Sequence, residues 1–105
     1  MRTNLILDGA SKVLENERQE INEIDAQLTS LFEKRLAVAH KIATVKYANK
    51  LPLTNVLREQ EVITQQTAAL QDATLAPYLT DWYRTTMLIA KQYQAHVIKG
   101  LQNDK

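Results

Sequence analysis

Residues 11–48 read SKVLENERQEINEIDAQLTSLFEKRLAVAHKIATVKYA, and this stretch decides the fold because it contains neither glycine nor proline. Its apolar residues recur at spacings of three, four or seven, which is the period of one helix face. These residues are Leu14, Ile21, Ile24, Leu28, Leu31, Val38, Ile42 and Val45. Acidic residues crowd the first half and basic residues the second, a polarity that complements the helix dipole. The pattern predicts one very long N-terminal helix with Ser11 as its N-cap.

The end of this helix and the second helix are predicted from the residues that follow. Pro52 ends the first helix at about Ala48, because proline disfavours the α conformation in the residue before it. The second helix is expected to begin with Thr54 or Asn55 as N-cap and to run to about Leu70.

A third helix is predicted from about Ala76, with Pro77 in its first turn, to about Lys99. Gly100 is expected to stop it. The expected fold class is therefore all-α, a single domain over residues 1–105 that forms a three-helix subunit.

The composition excludes several classes of protein. Two glycines and two prolines are too few for the many turns of an all-β fold. The 13 basic and 12 acidic residues nearly balance, which argues against a nucleic-acid-binding protein. The chain has no cysteine, so disulfides, thiolate catalysis and cysteine-bound metals are excluded. No stretch approaches the ~20 apolar residues of a membrane span, and residues 1–8 lack the apolar core of a signal peptide. A cytoplasmic location is expected.

The length of the first helix predicts a homodimer. About 36 residues at ~1.5 Å each span roughly 55 Å, whereas a compact chain of this size has a radius of gyration of ~13 Å. One subunit cannot cover the apolar stripe of such a helix, so a two-fold dimer with paired long helices is expected. A kink that folded the segment into a four-helix bundle is the alternative, but no glycine or proline is present to make it.

Three cations lie on or beside the apolar stripe: Arg18, Arg35 and Lys46. On a helix, Arg35 and Lys46 point within ~20° of one another and lie ~16 Å apart, so both can reach one ligand. Arg18 lies ~25 Å from Arg35 and reaches the same ligand only from the partner of an antiparallel dimer. Because buried cations need anions, the expected ligand carries at least two carboxylates or phosphates. For any single cation, a structural ion pair stays the alternative.

The other two predicted helices carry further candidates. Arg58 and Glu59 lie in the first turn of the second helix, where backbone N–H groups favour anions, although a capping pair at the surface is the alternative. One face of the third helix carries, at spacings of four, three and four, Tyr83, Met87, Ala90 and Gln94. An amide on this face can donate a neutral hydrogen bond into a pocket or can lie exposed to solvent.

Taken jointly, these residues resemble the AroQ-type (all-helical, type II) chorismate mutases. The resemblance covers about residues 14–98 and begins with RQEINEIDAQL at residues 18–28. Further matching positions are Leu31, Arg35, Ala39, Ile42, Ala43, Lys46, Pro52, Arg58, Glu59 and Gln94. The resemblance implies an intertwined homodimer of three-helix subunits. It also implies the Claisen rearrangement of chorismate to prephenate in phenylalanine and tyrosine biosynthesis, which uses no cofactor.

The resemblance implies roles for individual residues. Arg35, Arg58 and Arg18 of the partner subunit would bind the substrate carboxylates or order the pocket. Lys46 and Gln94 would donate to the ether oxygen. This set suits a pericyclic reaction, which needs a clamped reactive conformer and donors at the breaking C–O bond, and no nucleophile.

Three further positions belong to the implied substrate-binding set. Glu59 would accept a hydrogen bond from the ring hydroxyl of the substrate. Asn55 stands where many relatives carry aspartate, and Ala90 stands where some offer a serine hydroxyl. Neither difference removes the main cations.

Two other functions stay open. An isochorismate pyruvate lyase resembles the mutases in its helical scaffold and much of its cationic set, although Glu59 favours the mutase. A non-catalytic helical dimer is the second alternative, and it predicts that Arg35 and Lys46 pair with internal acids and leave no cavity.

Overall fold

The computed structural model describes residues 12–104, and the regular elements among them are all helical. Helix α1 spans Glu15–Asn49, α2 spans Val56–Ala68 and α3 spans Ala76–Asn103, with a short 3₁₀ helix at Ala73–Leu75 before α3. The all-α fold, with three helices of which the first is very long, confirms the prediction from sequence. The predicted N-cap Ser11 lies outside the described residues. No helix within residues 12–104 is both long enough and apolar enough to span a membrane.

The chain divides into two compact units, Met1–Arg35 and Leu36–Lys105. The first unit, as far as it is described, consists of the N-terminal part of α1, and each residue from 12 to 35 is exposed. Its large apolar side chains are Val13, Leu14, Ile21, Ile24, Leu28, Leu31 and Phe32. This unit therefore has an apolar helix face that its described residues leave uncovered.

The second unit contains the hydrophobic core. Two small residues of α1 that lie one turn apart are buried, together with residues of α2 and α3. The buried apolar residues are Ala39, Ala43, Ile63, Met87 and Ala90. Gln94 is the one buried polar residue within the described part of this unit, with 6% of its surface exposed.

The C-terminal end of α1 is fixed by its backbone geometry. Lys50 has a φ of 55°, in the left-handed region. The Leu51 N–H group donates to the Lys46 carbonyl at 2.8 Å, and the Lys50 N–H group donates to the Tyr47 carbonyl at 3.3 Å. These two bonds form a Schellman motif, so α1 ends at this motif and Pro52 follows it.

Helix α2 begins as the sequence predicted. The side-chain oxygen of Asn55 accepts a hydrogen bond from Arg58 N–H at 3.1 Å, which makes Asn55 the N-cap. The helix ends at Ala68, two residues before the predicted Leu70.

The connection to α3 includes a second capping residue. The Asp72 carboxylate accepts hydrogen bonds from the hydroxyl and the backbone N–H of Thr74. These bonds hold the pKa of Asp72 below its ordinary value of 3.8, because they stabilise the charged form. Pro77 lies in the first turn of α3, as predicted.

The predicted end of α3 at Gly100 was wrong. The helix continues to Asn103, and Asp104 N–H donates to the Gly100 carbonyl at 3.2 Å. Gly100 stops a helix only when it adopts a positive φ, and it does not adopt one here.

Candidate active site

Lys46 and Gln94 meet in the second unit, from the last turns of α1 and the middle of α3. The Lys46 Nζ atom donates to Gln94 Oε1 at 3.3 Å and to the Leu53 carbonyl at 2.7 Å. Lys46 is half-buried and Gln94 is buried. Two donors that are far apart in sequence are thus brought to one point.

This contact fixes how each side chain is presented to a ligand. A lysine ammonium is only a donor, so Gln94 must turn its amide oxygen toward Lys46 and its NH₂ group away. The ammonium has three N–H groups, of which Leu53 and Gln94 take two. One Lys46 donor and the Gln94 amide nitrogen are therefore available to a ligand.

Lys46 has no acidic partner among residues 36–104, where the ion pairs are Arg58–Glu61 and Glu59–Lys91. A half-buried cation without a carboxylate favours binding of an anion, because the anion supplies the missing charge compensation. The non-catalytic alternative predicted that Lys46 pairs with an internal acid, and the described residues show no such pair.

A half-open pocket of about 350 Å³ lies beside Lys46. This volume is at the lower end of the range that small-molecule sites occupy. The pocket is lined by Lys46, Leu51, Pro52, Thr54, Asn55, Val56 and Leu57, and thus by neither Gln94 nor Glu59. No group of three or more residues that could ligate a metal ion lies within residues 12–104.

Asn55 and Arg58 of the predicted site have structural partners. The Asn55 side chain is exposed and its oxygen caps α2, so that oxygen is already engaged. Arg58 pairs with Glu61 at 2.7 Å, and both side chains are more than half exposed. An exposed pair of this kind contributes about 0–1 kcal/mol. Arg58 can therefore leave Glu61 for a ligand at little cost.

Glu59 forms an ion pair that the sequence did not predict. Its carboxylate lies 3.1 Å from Lys91 Nζ, and the side chains are only 30% and 26% exposed, respectively. Lys91 follows Ala90 on α3, so the pair joins α2 to α3. Nothing in one sequence pairs these two positions, because the pairing depends on the axial register between two helices.

The remaining predicted site residues lie on α1 and α3. Ala90 is buried on α3, one turn before Gln94, and offers no side-chain hydrogen bond. Arg18 and Arg35 are exposed on α1 in the first unit. The second unit brings Lys46 to Gln94 and Glu59 to Lys91.

The helices define an all-α protein, and the Lys46–Gln94 pair is its candidate site. The family chorismate mutase type II matches residues 17–95, which is well over half of the chain, and the chain belongs to that family. The matched range includes each predicted site residue from Arg18 to Gln94. Comparisons with curated proteins and with solved structures gave no significant match.

Proposed function

We propose that this protein is a chorismate mutase, which rearranges chorismate to prephenate. The observation that carries the proposal is the Lys46–Gln94 pair. It combines a cation that has no acidic partner among the described residues with an amide whose NH₂ group is directed away from that cation. Membership of the type II chorismate mutase family supports the same reaction class.

The chemistry of the rearrangement fits this set of groups. Within one molecule the ether C–O bond breaks while a C–C bond forms, so no atom enters or leaves. Neither a nucleophile nor a proton acceptor takes part. The enzyme lowers the barrier by holding the two reacting ends together and by stabilising negative charge that grows on the ether oxygen.

Each site residue has a role in this proposal. Lys46 and Gln94 donate to the ether oxygen, and Glu59 accepts from the ring hydroxyl. Arg35 and Arg58 bind substrate carboxylates, and Arg58 exchanges its exposed partner Glu61 for the substrate when it does so.

The substrate-binding set in the proposal also includes Asn55 and Ala90. The Asn55 oxygen caps α2, so its NH₂ group is the part that faces a ligand. Ala90 contributes only its methyl group, which shapes the site next to Gln94.

The working unit in the proposal is a cytoplasmic, intertwined homodimer in which Arg18 of the partner subunit completes each site. The exposed apolar face of the first unit supports this assembly, because a large apolar face without cover marks a protein interface. A seven-residue repeat runs along that face through Leu14, Ile21 and Leu28, which is the spacing of paired helices.

The direct test follows the ultraviolet absorbance of chorismate in the presence of the purified protein, with the product identified by proton NMR. A parallel reaction contains isochorismate and is assayed for released pyruvate. Lys46→Met removes the proposed catalytic cation. Lys41→Met removes an exposed lysine from the same helix and is the matched control.

The wild-type protein should convert chorismate to prephenate. The Lys46→Met variant should lose this activity, and the Lys41→Met variant should keep it in full. Pyruvate from isochorismate with chorismate left intact would identify a lyase instead. No reaction with either substrate would favour the non-catalytic dimer.

A further inference from the structure

The ion pair between Glu59 and Lys91 joins one residue of the proposed site to a residue that the proposed function does not use. Lys91 is three residues before Gln94 on α3, and Glu59 is in the first turn of α2. The family resemblance implies a function for Glu59 but none for Lys91. The pair therefore connects a residue of the proposed site to one outside it.

This pair differs from the other ion pair of the same helix. Arg58 and Glu61 lie one turn apart on α2, with side chains 60% and 55% exposed. Glu59 and Lys91 come from two helices and have side chains about half as exposed, at 30% and 26%. Reduced exposure means weaker solvent screening, so removing one partner leaves a poorly compensated charge on the other.

The charge on Glu59 matters because the proposed substrate is a dianion. A carboxylate near two substrate carboxylates repels them unless a cation offsets its charge. Glu59 must nevertheless stay ionised and correctly directed to accept a hydrogen bond from the substrate hydroxyl. A lysine that holds the carboxylate at 3.1 Å meets both requirements.

We propose that Lys91 is a positioning residue that holds Glu59 toward the substrate hydroxyl and offsets its charge, so that the dianionic substrate can bind. This inference rests on the proposed function. Lys91 acts on Glu59 and does not touch the reacting atoms. Its contribution therefore belongs mainly to substrate binding and only slightly to the chemical step.

The test compares KM and kcat for chorismate in a set of variants. Lys91→Met should raise KM about tenfold, the effect of one partly screened charge, and should change kcat less than about threefold. Lys91→Arg keeps the cation and should keep KM. Lys99→Met removes an exposed lysine two turns further along α3 and should leave both constants unchanged.

Two alternatives to a positioning role are that Lys91 binds the substrate directly and that the ion pair is purely structural. The double variant Lys91→Met/Glu59→Gln tests the first of them, and the Tm of Lys91→Met tests the second. With the glutamate charge also removed, KM should return to that of Glu59→Gln alone, because no repelling carboxylate remains. A KM that stays further raised in the double variant means that Lys91 binds the substrate directly, which overturns the proposal. A lower Tm with unchanged KM in Lys91→Met shows a purely structural pair and also overturns it.

Failure of this inference is distinguishable from failure of the proposed function. Wild-type protein that does not consume chorismate overturns the proposed function and this inference with it. Wild-type turnover with unaltered KM in Lys91→Met overturns the inference alone. Lys91→Gln provides the same comparison if the methionine variant does not reach the helicity of the wild type.

Discussion

At the scale of single residues, the contact between Lys46 and Gln94 brings together the two donors of the proposed reaction. Lys46 cannot accept a hydrogen bond, so the Gln94 amide turns its oxygen toward the ammonium and its NH₂ group away from it. Leu53 in turn holds the ammonium through its carbonyl. Donors oriented before the substrate arrives need no reorganisation during the reaction, which is where electrostatic catalysis gains most.

The first prediction concerns the size of each donor's contribution. Lys46→Met and Gln94→Ala should each lower kcat more than they raise KM, because charge on the ether oxygen grows only as the bond breaks. The loss is expected to be about 10²–10³-fold, and larger for Lys46 because a charged donor is the stronger one. Steady-state kinetics, with Lys41→Met as control, measures both constants. Variants with the kcat of the wild type and a raised KM would show that Lys46 and Gln94 act in binding the substrate ground state.

The second prediction tests the direction of the Gln94 amide. In Gln94→Glu the new carboxylate faces Lys46 and repels the charge that develops on the ether oxygen. Activity should therefore be low at neutral pH and rise as the pH falls, because protonation restores a donor. Adjacent Lys46 favours the ionised form and moves this rise to lower pH. A pH profile of kcat that stays flat and near that of the wild type would show that Gln94 does not face the substrate.

The candidate site could be predicted only in part from single residues. Lys46 and Gln94 were predicted because their types and spacing resemble a family pattern, and the structure brings the two side chains into contact. The contact of Lys91 with Glu59 was not predicted, because a lysine on an amphipathic helix is ordinary and only the register between α2 and α3 gives Lys91 this partner. Asn55 was expected to bind substrate and to cap α2, and the described contact is the cap.

At the scale of elements, the helix ends show which local signals decide a boundary. Asn55 and Pro77 act within one turn of their own position, so the sequence predicted both helix starts. Gly100 was read as a stop, yet glycine in a helix costs only about 1 kcal/mol relative to alanine. Val97 and Ile98 before Gly100 and Leu101 after it are all half-buried, so the packed face of α3 runs past the glycine. Packing therefore outweighs the local preference of the glycine.

The third prediction concerns the left-handed residue that ends α1. Lys50 holds a φ of 55°, a conformation that glycine adopts without the steric conflict of a Cβ atom. Lys50→Gly should raise the free energy of unfolding by about 0.5–1 kcal/mol, as measured by urea denaturation. Lys50→Ala removes the same charge but keeps the Cβ atom, and should give no gain. Equal effects of the two substitutions would assign the change to the lysine side chain.

At the scale of the whole molecule, the uncovered apolar residues of α1 are the feature that the proposed dimer must explain. In the first unit Ile21 and Ile24 are 57% and 54% exposed. In the second unit Val38 and Val45 on the same helix are 52% and 54% exposed. The sequence predicted this stripe from its period. It could not predict the register of a second chain, because that depends on side-chain packing between two copies.

The fourth prediction is the mass of the protein in solution. Sedimentation equilibrium at micromolar concentration should give twice the chain mass of 12.0 kDa. Ile24→Glu places a charge on the exposed stripe and should shift the mass toward that of one chain, because an interface does not tolerate an unpaired charge. Gln19→Glu adds the same charge on the opposite side of the helix and should leave the dimer intact. A wild-type mass near that of one chain, with full helicity, would rule out the dimer.

The fifth prediction is that each site needs both chains. Arg18 and Arg35 lie in the same unit on one helix, seventeen residues apart, which is ~25 Å along the axis. One small substrate cannot contact both arginines of the same chain, so the proposed function assigns Arg18 to the site of the partner subunit. Arg18→Ala and Arg35→Ala should each be inactive, yet the two proteins unfolded together and refolded should regain activity.

About half of the resulting dimers are mixed, and each mixed dimer holds one intact site, so about a quarter of wild-type activity is expected. Each variant refolded alone is the control, and a mixture as inactive as these controls would place both arginines in the site of a single chain.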